Sequence, residues 1–160
     1  MNPVAVGSRF EGRARNLSSD GRAVVEDFQS KFVYFVEGAW PGDEGTFEVL
    51  SLEKRYGFAK VIELRILSPQ RVAVECQYQG VGEGKCGGCS WMIGSYESQL
   101  ESKSHRLRHA LERAKLISPE DQAVLRSPLP SSQIYAYRNR VQVKSDGKSM
   151  GFLSLGSTQL

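Results

Sequence analysis

Cysteine is scarce in this 160-residue chain, and its three thiols, Cys76, Cys86 and Cys89, all fall in one glycine-rich stretch, CQYQGVGEGKCGGCSW. An odd count excludes a closed disulfide framework, and three is one short of the four ligands of a closed zinc site or a cubane cluster. Histidine is scarcer still, with only His105 and His109. Long apolar runs are missing. The opening MNPVAVGSRFEGRARN lacks the apolar stretch of a secretory leader, and nothing later approaches the ~20 apolar residues of a spanning helix. The expectation is a cytoplasmic protein with no membrane partner and with reduced thiols. In that compartment Cys86-Gly-Gly-Cys89 points to metal binding or redox chemistry rather than to a disulfide. A thioredoxin-like use needs a βαβ setting, and the chain offers none.

What is present is a globular composition, 40% hydrophobic and 24% charged, enough for one ordinary core or two small ones. The net charge of +3 is unevenly spread. Up to Glu75 there are ten Lys/Arg against eleven Asp/Glu, and from Cys76 onward eleven against seven. A basic second half is what a nucleic-acid partner requires, although so small an excess also fits a solvated surface.

Residues 8 to 67 read as five short strands: RFEGRARNLS, RAVVEDF, KFVYFVEG, TFEVLSLEKRYG and FAKVIELRIL, parted by SDG and AWPGDEG. In the last of these Phe58, Ile62, Leu64 and Ile66 share one parity, broken only by Lys60, which predicts a half-buried strand with that face inward. Five strands without a helix among them fit a small barrel of the oligonucleotide-binding (OB) type, with a sandwich fragment as the alternative. The stretch SYESQLESKSHRLRHALERAKL is the one clear helix. Tyr96, Leu100, Leu107, Ala110, Leu111 and Ala114 form its apolar stripe, Ser95 its N-cap, and Glu97, Arg113 and Lys115 complement its dipole, with Ser118-Pro119 ending it. YAYRNRVQVK and SMGFLSL, joined by SDGK, predict a hairpin. The fold class is thus mainly β with one long helix, α+β.

Two constellations carry chemistry. On the first hairpin strand Arg138, Arg140 and Lys144 share a face opposite Tyr137, Val141 and Val143, able to track a phosphate backbone or merely to guard a sheet edge. Lys54, Arg55 and Lys60 add cations on the barrel. Barrel aromatics such as Tyr34 and Tyr56 are either base-stacking rings or core. In the cysteine loop, glycines free backbone amides to face ligand sulfurs, with Trp91 and Met92 as an apolar flank. Zinc would take the three thiols plus His105 or His109, but these histidines read better as surface positions of the helix.

The segments EGRARNLSSDGRAVV, GAWPGDEGTFEV, EKRYGFAKV, CGGCSWMIGSYESQLESKSHRLRHAL, YRNRVQV and GFLSLGSTQL together resemble the RNA uracil-5-methyltransferase family that acts on 23S ribosomal RNA. The likeness runs over essentially the whole chain. It implies an N-terminal TRAM domain, an OB-like barrel, over residues 1–70 and an iron–sulfur central domain, incomplete at its C-terminus, over 71–160. It also implies that Cys76, Cys86 and Cys89 are ligands of a [4Fe–4S] cluster whose fourth cysteine follows a segment like GFLSLGSTQL. This chain stops at Leu160, and its Cys76-to-Cys86 interval is longer than the family's by a stretch like VGEG. In that family the cysteine nucleophile, the base and the S-adenosylmethionine site lie in a C-terminal domain. No G-x-G-x-x-G loop following a strand occurs here, so no catalytic residue is assigned, and the chain alone is expected to be inactive. RNA, a 23S ribosomal RNA above all, is the implied partner of a monomer. The alternative is a non-enzymatic RNA-binding protein with a structural metal.

Overall fold

Five strands close on themselves. In a computed structural model, which describes residues 5–82, 84–121 and 125–153, they are β1 (Arg9–Leu17), β2 (Ala23–Asp27), β3 (Val33–Glu37), β4 (Glu44–Leu52) and β5 (Gly57–Ile66). They form a closed barrel in the order β1-β2-β3-β5-β4, every contact antiparallel except β3 with β5. This is the expected OB-like architecture, and closure leaves no long open edge.

Alternation explains most of the strands. Phe10, Gly12 and Ala14 of β1, Ala23 and Val25 of β2, Tyr34 and Val36 of β3, and Gly45, Phe47 and Val49 of β4 turn inward. A bulge between Ala14 and Asn16 shifts the parity of β1, so that Leu17 also enters the core. Aromatic rings fill the centre. Phe10 stacks on Tyr34 at 4.2 Å and on Phe47 at 5.5 Å, and Phe32 meets Tyr34 edge-on. Tyr34 is fully buried and belongs to the core, not to a base-stacking surface.

The expected inward face of β5 is corrected. Gly57 and Ala59 are buried, Val61 and Leu64 pack on the core, Phe58 lies half-buried on the outer side, and Ile62 and Ile66 are exposed. Small residues sit inside at this end because the Tyr34 ring occupies the space, and a methyl on Gly57 would stand 2.7 Å from it. Further along, three register shifts against β4 break the simple period of two and return Leu64 to the core.

Residues 67–95 run back along the barrel as a strap. Val72 N–H donates to the Ile93 carbonyl at 3.0 Å, and Ser95 N–H to the Gln70 carbonyl at 2.8 Å. Ile93 joins the barrel's core, with Val74 and Trp91 packed against it, so this core draws side chains from both sides of the 70/71 boundary. Trp40 and Trp91 meet edge-on at 5.9 Å. The strap is clasped by Asp43, wholly buried, whose carboxylate accepts from Trp40 N–H at 2.6 Å, Ser68 N–H at 2.8 Å and the Arg71 guanidinium at 2.7 Å.

Helix α1 (Tyr96–Arg113) starts as expected, with the Ser95 hydroxyl accepting from Ser98 N–H. It ends earlier than expected, at the cap Ala114, and Lys115 lies beyond it with a left-handed φ of 57°. Its apolar stripe is only lightly covered: Tyr96, Leu100 and Leu111 are half-buried, and Leu107 and Ala110 are exposed. The predicted hairpin shrinks to two-residue strands, β6 (Lys144–Ser145) and β7 (Met150–Gly151). Residues 135–143 pair with nothing among the described residues, and Ala136 has a positive φ of 54° that interrupts an extended run. Among the described residues no helix is long and apolar enough to cross a membrane.

Candidate nucleic-acid interface and cysteine loop

The cysteine loop is built by turns. Gln79 N–H donates to the Cys76 carbonyl, Cys86 N–H to the Tyr78 carbonyl at 2.7 Å, and Met92 N–H to the Cys89 carbonyl. A parallel bridge between Gln79 and Cys86 folds the first cysteine's segment against the second's. Gly80, Gly82 and Gly84 all take φ above +70°, which allows so tight a path. All three thiols are free, Cys76 and Cys86 partly exposed and Cys89 exposed.

The donor set fits a soft metal centre in kind. There are three thiols, and Gly88 N–H lies 3.4 Å from Cys86 Sγ, the direction in which a backbone amide stabilises a thiolate. The placement does not yet fit. Among the described residues no three His, Cys, Asp or Glu side chains stand close enough together to hold a metal ion. A cluster would have to draw the sulfurs together as it bound, which is the usual coupling of metal uptake to local folding. Trp91 is engaged elsewhere, between Trp40 and the Arg106 guanidinium, which sits 5.7 Å over its ring. His105 and His109 are exposed positions of α1.

The cations divide into two groups. Arg138, Arg140 and Lys144 are exposed and make no ion pair among the described residues, but they do not share a strand face as predicted, because only Lys144 lies in a strand. Their segment reaches the cysteine loop all the same: past β7, the Leu153 carbonyl accepts from Gly87 N–H, between Cys86 and Gly88. Lys54 and Arg55 stand at the exposed tip between β4 and β5, also without an ion pair among the described residues. Lys60 is different. Its ammonium lies 2.7 Å from Glu48, and this contact, opposed by desolvation and helped by Arg9, holds the Glu48 carboxyl below its usual pKa.

Other barrel cations drew no attention in the sequence. Arg13, Arg15 and Lys31 line a shallow cleft of about 390 Å³ with Phe28 and Glu26. Arg13 pairs with Glu44, and Arg15 and Lys31 share Glu26, so most of this charge is already answered by carboxylates and one positive charge is left over. Phe35 was also overlooked, and Phe58 was read on the inward face of its strand; with Tyr56 they form a group of three rings on the outer barrel wall. Parity against Tyr34 and Val36 places Phe35 outward, whereas the apolar parity of β5 pointed Phe58 the wrong way.

No protein-family model matches the chain. Individual relatives do. An uncharacterised RNA methyltransferase of Nitrosomonas europaea is 40% identical over 153 residues, 92% of this chain and 38% of that protein. The 23S rRNA (uracil(1939)-C(5))-methyltransferase of Chromohalobacter salexigens is 34% identical over 147 residues, 90% of this chain and 29% of that protein. Among solved structures, the tRNA (uracil-54, C5)-methyltransferase of Pyrococcus abyssi, in complex with S-adenosyl-L-homocysteine, aligns at TM-score 0.42 and 30% identity, covering 64% of this chain and 21% of that one. The resemblance carried by the motifs is therefore borne out: the chain matches the N-terminal portion of proteins named RNA methyltransferases. It spans about a third of the length of the curated relatives it matches.

Proposed function

We propose that this chain is the RNA-recognition and [4Fe–4S]-binding portion of an S-adenosylmethionine-dependent 23S ribosomal RNA (uracil-5-)-methyltransferase. The observation that carries the reading is identity of 34–40% along nine-tenths of the chain with relatives named RNA methyltransferases, one of them a 23S rRNA uracil-C5 enzyme. The closed barrel followed by a three-thiol loop supports it. In this reading the barrel is the TRAM unit over residues 1–70, and 71–160 form the cluster-binding unit.

The division of labour follows from the side chains. Arg138, Arg140 and Lys144, exposed and without ion pairs among the described residues, bind RNA phosphates, with Lys54 and Arg55 extending the track across the barrel tip. Arg138 is the candidate for holding a flipped uridine, since an enzyme acting on a base must take it out of its stack. Lys60 contributes less, because Glu48 already neutralises it. Cys76, Cys86 and Cys89 hold the cluster, which when bound supplies a rigid cross-link among the three thiolates. The sequence assigns no nucleophile outside the cysteine loop, so S-adenosylmethionine chemistry belongs to the remainder of such an enzyme.

Three measurements test this. Replacing Arg138, Arg140 and Lys144 together by alanine should flatten the slope of log K against log salt by about 2 for single-stranded RNA. An unchanged slope would make the patch ordinary solvated surface. Anaerobically purified protein should be brown and contain iron, whereas stoichiometric zinc without visible absorption would refute the cluster. Labelled S-adenosylmethionine and unmodified ribosomal RNA should yield no 5-methyluridine with this chain alone.

A further inference from the structure

Phe35, Tyr56 and Phe58 form a continuous aromatic surface on the outer wall of β3 and β5. Their centroids lie 5.2 Å (Phe35–Tyr56), 5.7 Å (Tyr56–Phe58) and 5.9 Å (Phe35–Phe58) apart. The core has no use for them. Tyr34, Val36 and Ala59, their inward neighbours in the strands, already fill the interior, and Tyr56 is 38% exposed. Three rings on the solvent side of a barrel leave apolar area in water for which the fold supplies no internal reason.

The surroundings say what such a surface can hold. Lys54 and Arg55 immediately precede Tyr56 at the turn and have no ion-pair partner among the described residues. Across the rings, Arg22 lies in the loop between β1 and β2, its guanidinium 5.1 Å over Phe58 and held by Asp20 and Glu37. The aromatic group thus lies between the β1–β2 loop and the β4–β5 turn, on the wall formed by β3 and β5. In an OB-type barrel these loops flank the oligonucleotide groove.

We infer that Phe35, Tyr56 and Phe58 are a base-stacking platform for single-stranded RNA, with Lys54 and Arg55 holding the adjoining phosphates. This rests on the RNA-binding reading above and adds to it a site, a strand state and a mode of contact. Stacking needs exposed base faces, so the platform accepts unpaired nucleotides of any sequence and rejects a duplex. Tyr56, the most exposed of the rings, takes the terminal base; Phe35 and Phe58 hold its orientation by edge contacts.

The test uses the whole chain, a fluorescent single-stranded oligouridylate and a duplex RNA of equal length. Tyr56→Ala should weaken single-strand binding roughly five- to a hundredfold. It should leave the salt slope unchanged, because no phosphate contact is lost. Tyr56→Phe should restore binding, and irradiated 5-iodouridine RNA should cross-link to Tyr56 or Phe58. Tyr56 sits at an exposed turn, so thermal melts should show Tyr56→Ala folded; Tyr56→Leu, which keeps the apolar bulk but not the π-face, should weaken binding as much.

If the native chain binds single strands with a normal salt slope but Tyr56→Ala and Tyr56→Leu bind as well as it does, the platform is refuted and RNA binding stands. Equal competition by the duplex refutes it too. Absence of any RNA binding by the native chain overturns both readings together.

Discussion

Asp43 accepts from three groups at once, Trp40 N–H, Ser68 N–H and the Arg71 guanidinium, and removing it would strand them. Its carboxylate joins the turn before β4 to Ser68 and Arg71 at the start of the strap, and Arg71 also donates to the Gly38 carbonyl at 2.7 Å. Breaking a buried ion pair from one side leaves the partner charge desolvated and uncompensated. Asp43→Ala and Arg71→Ala should therefore each cost about 3–5 kcal/mol, read as lower urea midpoints, Arg71→Ala because it leaves the wholly buried Asp43 carboxylate without its counter-charge. Nothing in the sequence distinguished this pair. Asp43 sits in a PGDEG stretch that reads only as a breaker, Arg71 lies 28 residues away, and only tertiary folding brings them together. Gly94 makes a similar point, since a methyl there would overlap the Trp40 indole. Gly94→Ala should destabilise the chain by about 1–3 kcal/mol and shift tryptophan fluorescence as the strap loosens from the barrel.

Among the elements, the strands and the helix were legible because each carries its own local signal. Alternation marks β1 to β4, and Ser95 with its N-cap bond to Ser98 marks the start of α1. The orientation of β5 was not legible, because two of its three register shifts against β4 insert an extra residue in β5 itself, at Arg65 and Ile62, and no local residue pattern marks them. The hairpin was half legible. Its turn formed at Asp146-Gly147, but YAYRNRVQV pairs with nothing among the described residues, and the positive φ of Ala136 interrupts its extended run. Amides explain the turn's durability: Ser149 N–H and then Lys148 N–H donate to the Asp146 carboxylate and keep its pKa below the usual value. A depressed carboxylate pKa means that this support is present above the unfolded-state value and fades as pH falls through the folded one. Amide chemical shifts of Lys148 and Ser149 should accordingly move together in acid, below the ordinary aspartate range, and Asp146→Asn should abolish that titration.

At the scale of the whole molecule, order is unevenly distributed. Every buried apolar side chain among the described residues lies between Phe10 and Ile93, whereas Leu107, Tyr137, Val141 and Met150 are each more than half exposed. Hydrogen exchange should divide the chain accordingly, with the barrel amides protected to near the global stability and residues 125–153 exchanging almost at once. Uniform protection across both halves would contradict this division. The cysteine loop was legible as a cluster of donors, because spacing alone reveals it, but not as a gathered site, since no sequence pattern positions three sulfurs in space. The parallel pairing of β3 with β5 also dictates an order of events while the polypeptide is being made. Tyr34, already beside Val25 of β2, finds its second strand neighbour only at Gly57, and Phe10 meets Phe47 only when β4 has appeared. Until β5 emerges, the free sides of β3 and β4 both present unsatisfied amides and carbonyls to whatever is nearby. The final strand is therefore also the lid on the chain's self-association: a nascent chain halted before Gly57 should aggregate through those sides, and one carried past Ile66 should not.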